Sequence, residues 1–331
     1  MANQPTFITL SSVKAKKVDW FWPPLIPFGM ITIMEGDPGE GKSFLAMNLT
    51  TLITKGAKLP NGTKLQRGNV LYLSSEDDAA YTIRPRIDAM GGDADRVRIL
   101  GSILSFDESG LEELREELDE SEPDVIVIDP IVAFIPEKSN TGASNQMRAL
   151  LGKLNDIASE YGCAIILIRH LIKMRQEKAI YQGGGTVDFI AAARSAVRVA
   201  EHPSDPTLRV MAHMKHNIGP KGQSWLFKLV ETSEDMPPKF EWVGPTSLTV
   251  EDLNGSTSNQ GLKPMDAAKA FLLRELEGGP RKATEMIELA DMDGITERTL
   301  KRAKPGLGVI SIQKKSGWIW KLPKKAGPKA K

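Results

Sequence analysis

From Met30 onward, short apolar runs alternate with stretches in which apolar residues recur every three or four positions. The runs predict strands at Met30–Glu35, Asn69–Ser75, Val97–Leu100, Asp124–Asp129 and Cys163–Arg169. The amphipathic stretches predict helices over about 42–56, 79–90, 108–120 and 143–161, with Leu111, Leu114 and Leu118 showing the spacing clearly. Runs 124–129 and 163–169 are almost wholly apolar, as expected of strands covered on both faces of a parallel sheet. After about residue 185 shorter strands follow, at 195–201, 207–215, 224–230 and 239–243, joined by turns containing Pro and Gly. They predict an antiparallel extension of the same sheet, so the class is α/β.

Residues 251–263 are small and polar with little to bury, and read as a linker between a large domain at 30–250 and a small one at 264–322. The small domain reads as helices 264–277, 281–290 and 295–305, then a strand pair at Val309–Gln313 and Trp318–Leu322. The tail 323–331 is basic. Ahead of Met30, the segment 1–29 carries Lys14, Lys16 and Lys17, then Trp20-Phe21-Trp22-Pro23-Pro24. Exposed aromatics beside prolines predict a segment packed onto a neighbouring surface.

Composition changes this picture little. The 331 residues are 41% hydrophobic and 26% charged, with a formal charge of +1, so affinity for nucleic acid must come from local patches. The one cysteine, Cys163, lies in an apolar run, which excludes a disulfide framework and predicts a buried thiol in a reducing compartment. No segment approaches the ~18 apolar residues of a membrane helix, and no export signal is seen. The expectation is a cytoplasmic protein with no membrane partner.

The strongest motif is Gly36-Asp37-Pro38-Gly39-Glu40-Gly41-Lys42-Ser43, set between an apolar strand and a helix. Its glycines permit the dihedrals that turn successive N–H groups onto phosphates, and the helix amino terminus adds partial positive charge. Lys42 reaches the β- and γ-phosphates of ATP, and the Ser43 hydroxyl coordinates Mg²⁺. With the next residue, Phe44, these form the expected nucleotide site. Asp129 ends a buried strand, costly unless something cationic faces it, and is expected to hold the Mg²⁺ through water. Glu76, Asp77 and Asp78 follow the strand at 69–75, and one of them is the base that polarises water. Glu76 is favoured by its place at the strand end; Asp77 or Asp78 suits a helix amino terminus.

The order of these pieces resembles the RecA-like ATPases, and within them the RepA-type hexameric plasmid and phage helicases. The acid stands after the second strand, and Trp20-x-Trp22-Pro23-Pro24-Leu25-Ile26-Pro27-x-Gly29 is similar to the approach to the phosphate loop in that group. The resemblance covers about residues 15–245. It implies that His170 senses the γ-phosphate, and that Arg194 and Lys215 act on a neighbouring subunit's nucleotide. Where DnaB-like helicases read Lys-x-Arg-x-Gly-Pro, this chain has Asn217, so Lys215 works alone or Arg194 or Arg209 supplies the charge. A ring of about six subunits is implied, with single-stranded DNA in its channel and a primase or replication initiator as partner.

In such a fold, loops Pro130–Asn145 and Leu171–Asp188 face DNA; the second carries Lys173, Arg175, Lys178, Tyr181 and Gly183-Gly184-Gly185. The small domain has the layout of a winged helix-turn-helix. Residues 295–304 form its recognition helix, capped by Thr296 and projecting Arg298, Lys301, Arg302 and Lys304. Basic side chains outnumber acidic ones about two to one from residue 263 onward, which favours phosphate contact. Together these imply an ATPase that translocates along or unwinds DNA. The alternatives are an ATP-regulated DNA-binding or recombination-mediator protein without unwinding, and a signalling ATPase whose small domain binds protein.

Overall fold

The computed structural model describes residues 7–136, 143–171, 190, 192–232, 236–254, 264–277, 279–292, 295–314 and 317–323. The chain divides into two compact units, Met1–Val250 and Glu251–Lys331.

The first unit opens with a short hairpin, β1 (Trp20–Trp22) and β2 (Ile26–Pro27). There follow β3 (Ile31–Gly36), α1 (Lys42–Lys55), β4 (Val70–Ser74), α2 (Arg84–Ala89), β5 (Val97–Ile99), α3 (Glu108–Ser121), β6 (Val125–Asp129), α4 (Ala143–Tyr161) and β7 (Ala164–His170). Then come β8 (Ser195–His202), β9 (Asp205–His216), β10 (Ser224–Val230) and β11 (Lys239–Thr246). They build one nine-stranded sheet in the order β11-β10-β9-β8-β3-β7-β6-β4-β5. From β8 to β5 neighbours run parallel, and from β8 to β11 antiparallel. This is a RecA-like P-loop NTPase sheet with its antiparallel extension.

Alternation along the strands explains the two cores. On β3, Ile31 and Ile33 join the cluster under α3 and α4, while Met34 joins the one under α1. On α3, Leu111, Leu114 and Leu118 are buried, each worth about 1.5–3 kcal/mol, while Glu112, Glu113 and Glu116 stay in water. Cys163 is buried, and burial pushes its thiol up to about 12.

One expectation holds and two change. The lead-in segment does pack onto a neighbouring surface: Phe21, Trp22, Leu25 and Ile26 lie in the core, and Trp22 packs against Trp225 and Trp242 with ring centres 6.1 and 5.5 Å away. A hairpin hides them because β10 and β11 supply an aromatic floor that the local sequence does not announce. The helix expected over 79–90 begins as a π-helical turn, Ala79–Ile83, before α2. The stretch expected to be linker from 251 starts inside a short helix, α5 (Val250–Asn254), and 255–263 lie outside the described residues.

The second unit contains α6 (Pro264–Glu277), β12 (Arg281–Lys282), α7 (Ala283–Met292), α8 (Glu297–Ala303), β13 (Ile310–Lys314) and β14 (Gly317–Lys321). Its sheet is antiparallel in the order β12-β14-β13. The expected helix start at 281 is two residues early, because Arg281 and Lys282 pair with Trp320 and Ile319 instead. Phe271, Leu272, Leu276, Met286, Leu300 and Trp320 form its own core. Among the described residues no helix is long and apolar enough to cross a membrane.

Candidate nucleotide-binding site

The phosphate loop turns off the end of β3 and feeds α1. A side chain at Gly36 would run into the backbone carbonyl of Val199, so only glycine fits there. Gly41 caps α1 in a left-handed conformation, φ 88°, and an added Cβ would sit 3.3 Å from the Phe227 ring on β10. The loop thus rests on the antiparallel extension. Lys42 is only 3% exposed, and its Nζ donates to the carbonyls of Gly36 at 3.0 Å and Asp37 at 2.7 Å. Burial lowers its ammonium to about 8, against the pull of Asp129, Glu40, Asp37 and Glu76 in that order.

β6 and β4 are neighbours, with Asp129 opposite Ser74. Asp129 is 3% exposed; burial raises its carboxyl, while hydroxyls of Ser43 and Tyr72 hold it down. The Tyr72 hydroxyl donates to Oδ2 at 3.2 Å. A serine hydroxyl and one buried carboxylate meet as hard oxygen donors, which suits Mg²⁺, an ion held by few protein ligands together with phosphate oxygens. Among the described residues no cluster of three or more His, Cys, Asp or Glu offers an all-protein metal cage.

Glu76 lies just beyond β4, with Oε2 3.6 Å from His170 Nε2. His170 stands beside Gly36 in the β3–β7 register, so base candidate, sensor candidate and loop share one rim of the sheet. Asp78 accepts from the amides of Ala80 and Tyr81, both at 2.8 Å, and caps the π-helical turn. Asp77 faces Arg86 at 3.5 Å, and that guanidinium lies over the Phe44 ring, 4.2 Å from its centre.

Not every expected residue gathers here. Arg194 precedes β8 and Lys215 is the last residue but one of β9; Ser195 is level with Thr32 and with His216. Both therefore lie at the opposite rim, several residues below Gly36 along β3. There the Lys215 ammonium donates to the carbonyl of Ile190 at 2.6 Å, and its pKa is lowered by burial and by Arg194. Nearby, His213 accepts from the Gly222 amide at 2.7 Å and lies 3.4 Å from the Ser195 hydroxyl, which donates to the Leu25 carbonyl. Burial depresses that imidazole to about 4. Arg209 sits at the phosphate-loop rim, opposite Glu201. Glu137, Lys138, Lys173, Arg175, Lys178 and Tyr181 lie outside the described residues. In the second unit Arg298, Lys301 and Arg302 are exposed on α8, whose Thr296 caps it through the Thr299 amide.

Three residues in this site carried no signal in a linear reading. Tyr72 looked like one more apolar strand position, and Phe227 and Arg86 lie far from the motif in sequence.

A parallel sheet with a glycine loop at its carboxyl rim, facing an acid on each of two neighbouring strands, defines the P-loop class. Within it, the profile of the family described as AAA domain matches residues 4–176, and the chain belongs to that family. The chain is 24% identical to DNA repair protein RadA of Streptococcus pneumoniae over 247 residues, 74% of this chain and 52% of that protein. It is 24% identical to DNA repair protein RadA of Halalkalibacterium halodurans over 264 residues, 77% and 51% of the two chains. With DNA repair protein RadA of Chlamydia pneumoniae the figures are 25% over 252 residues, 75% and 49%. The chain spans about half the length of the curated relatives it matches.

Proposed function

We propose that this protein is an ATPase that works on DNA as a homo-oligomer, with each nucleotide held by one copy and completed by the next. Lys42 and the loop amides grip the phosphates, Ser43 and Asp129 hold Mg²⁺, and Glu76 orients and deprotonates the attacking water. Mg²⁺ bound there would neutralise phosphate charge. His170, 3.6 Å from Glu76, is the group suited to report the state of the γ-phosphate. One observation carries the oligomeric part: Lys215 and Arg194 sit on the rim of the sheet away from their own phosphate loop. Cations set that far from their own loop support action on a nucleotide bound by another copy.

The finer reading is translocation along or unwinding of DNA in the manner of RepA-type ring helicases. A hexamer, a primase or initiator as partner, and recruitment by a winged helix through Arg298, Lys301 and Arg302 belong to it. The layout of α7, α8 and the β13–β14 hairpin supports the winged-helix part, and exposed basic side chains on α8 support DNA as its ligand. A second reading is an ATP-regulated DNA-binding or recombination-mediator protein without strand separation, and it draws support from relatives named for DNA repair.

Strand displacement on forked DNA of each polarity, with ATP and alongside native mass, separates the two. Displacement by an oligomer supports the helicase reading. Stoichiometric coating of DNA with slow turnover supports the mediator. A monomer whose ATP turnover ignores DNA overturns both.

A further inference from the structure

Glu40 is an acid inside a loop built to hold anions, and nucleotide binding as described above gives it no task. Its side chain is 13% exposed, with Oε2 3.9 Å from Arg209 Nε on β9. Arg209 Nη1 lies 3.8 Å from Glu201 on β8 and donates to the carbonyls of Pro206 at 2.6 Å and Leu208 at 3.1 Å. The arginine is therefore pinned within its own chain, beside its own phosphate loop. Burial raises the Glu40 carboxyl; Arg209 opposes that shift, and Glu201 and Asp37 add to it. Among the acids acting on the Lys42 ammonium, Glu40 comes second only to Asp129. Any phosphate that Lys42 holds must then sit in the field of Glu40 as well, and like charges repel.

We propose that Glu40 and Arg209 are a charge-compensating pair within one chain, in which the acid holds triphosphate affinity down and the arginine restores it. The inference rests on the nucleotide reading of the same loop. Both are positioning residues. A mere staple between loop and β9 would behave differently: breaking it from either side loosens the loop, so both single substitutions weaken binding. Charge compensation gives opposite signs. Removing the acid leaves Arg209 in excess and tightens binding; removing the arginine leaves Glu40 and Glu201 unopposed and weakens it.

The test measures affinity of the full chain for a fluorescent ATP analogue and for inorganic tripolyphosphate, with melting curves as a check on folding. Glu40→Gln should bind about tenfold tighter and Arg209→Gln about tenfold weaker, as expected for one unit charge partly screened by solvent. The double variant should fall within about threefold of the parent, because the two charge changes oppose each other. Arg209→Lys keeps the charge and should recover most of the loss. Weakening by both single substitutions, or by neither, overturns the proposal and leaves the nucleotide reading standing. If the parent bound neither probe, the nucleotide reading and the pair would fall together.

Discussion

The two rims of the central sheet are furnished by different strands and gather unlike side chains. At the carboxyl rim of β3, β4, β6 and β7 the chain gathers Gly36–Ser43, Glu76, Asp129 and His170, a cradle rich in acid and in glycine-freed amides. At the amino rim, where β8 begins and β9 ends, it gathers Arg194, Lys215 and the neutral His213. The difference arises from strand direction. Turns after parallel strands all open on one side, so the glycine loop lies there, whereas β9, running backward, places Arg209 near that loop and Lys215 on the far side. Within one chain the two groups therefore stand at opposite edges of the sheet.

The comparison can be broken most severely at Lys42. Lys42→Ala should take nucleotide binding to background, measured with a fluorescent ATP analogue; retained binding would remove the phosphate loop from the account. Next in size, Glu76→Gln should keep that binding while turnover falls by about 10²–10⁴, the range for loss of a general base. Normal hydrolysis would return the role to Asp77 or to water alone.

The amino rim is sharpened by Lys215→Ala, which should lower turnover on the order of 10²–10³, as for loss of one transition-state donor, with nucleotide affinity unchanged. Mixing Lys215→Ala with Glu76→Gln chains should restore part of the activity, since some junctions then carry an intact base and an intact cation. No recovery on mixing would place both groups in one chain's site. The mildest test is pH. Lys42 titrates at about 8 in the folded protein, below its ordinary 10.5. Below pH 8 the ammonium is already charged and affinity should be flat. Above it, binding must take up a proton, so affinity should drop by up to about tenfold per pH unit. The same depressed value makes the fold itself more stable as pH rises from about 8 toward 10.5, because the unfolded chain then binds the extra proton.

What sequence could tell was what lies close along the chain. The strand before Gly36, the loop and the helix after it are contiguous, so their chemistry is written in order. Asp129 was legible because an acid ending the run Val125–Ile128 is costly without a reason. Tyr72 was not, since its hydroxyl meets Asp129 only when β4 and β6 become neighbours. Nor was the burial of Trp22, whose partners Trp225 and Trp242 lie some two hundred residues away. Arg209 could be named as a spare cation, but its seat beside Glu40 depends on the register of β8 and β9.

One oxygen joins more than its neighbours suggest. The Gly36 carbonyl accepts both the Lys42 ammonium at 3.0 Å and the amide of Leu171, just past β7, at 3.0 Å. If a phosphate draws the ammonium away, that peptide is left with a single tether and is easier to tilt. The residue that tilts with it is the one from which the chain departs after His170. Occupancy of the loop would then be readable as a change in the exchange rate of one amide proton, that of Leu171.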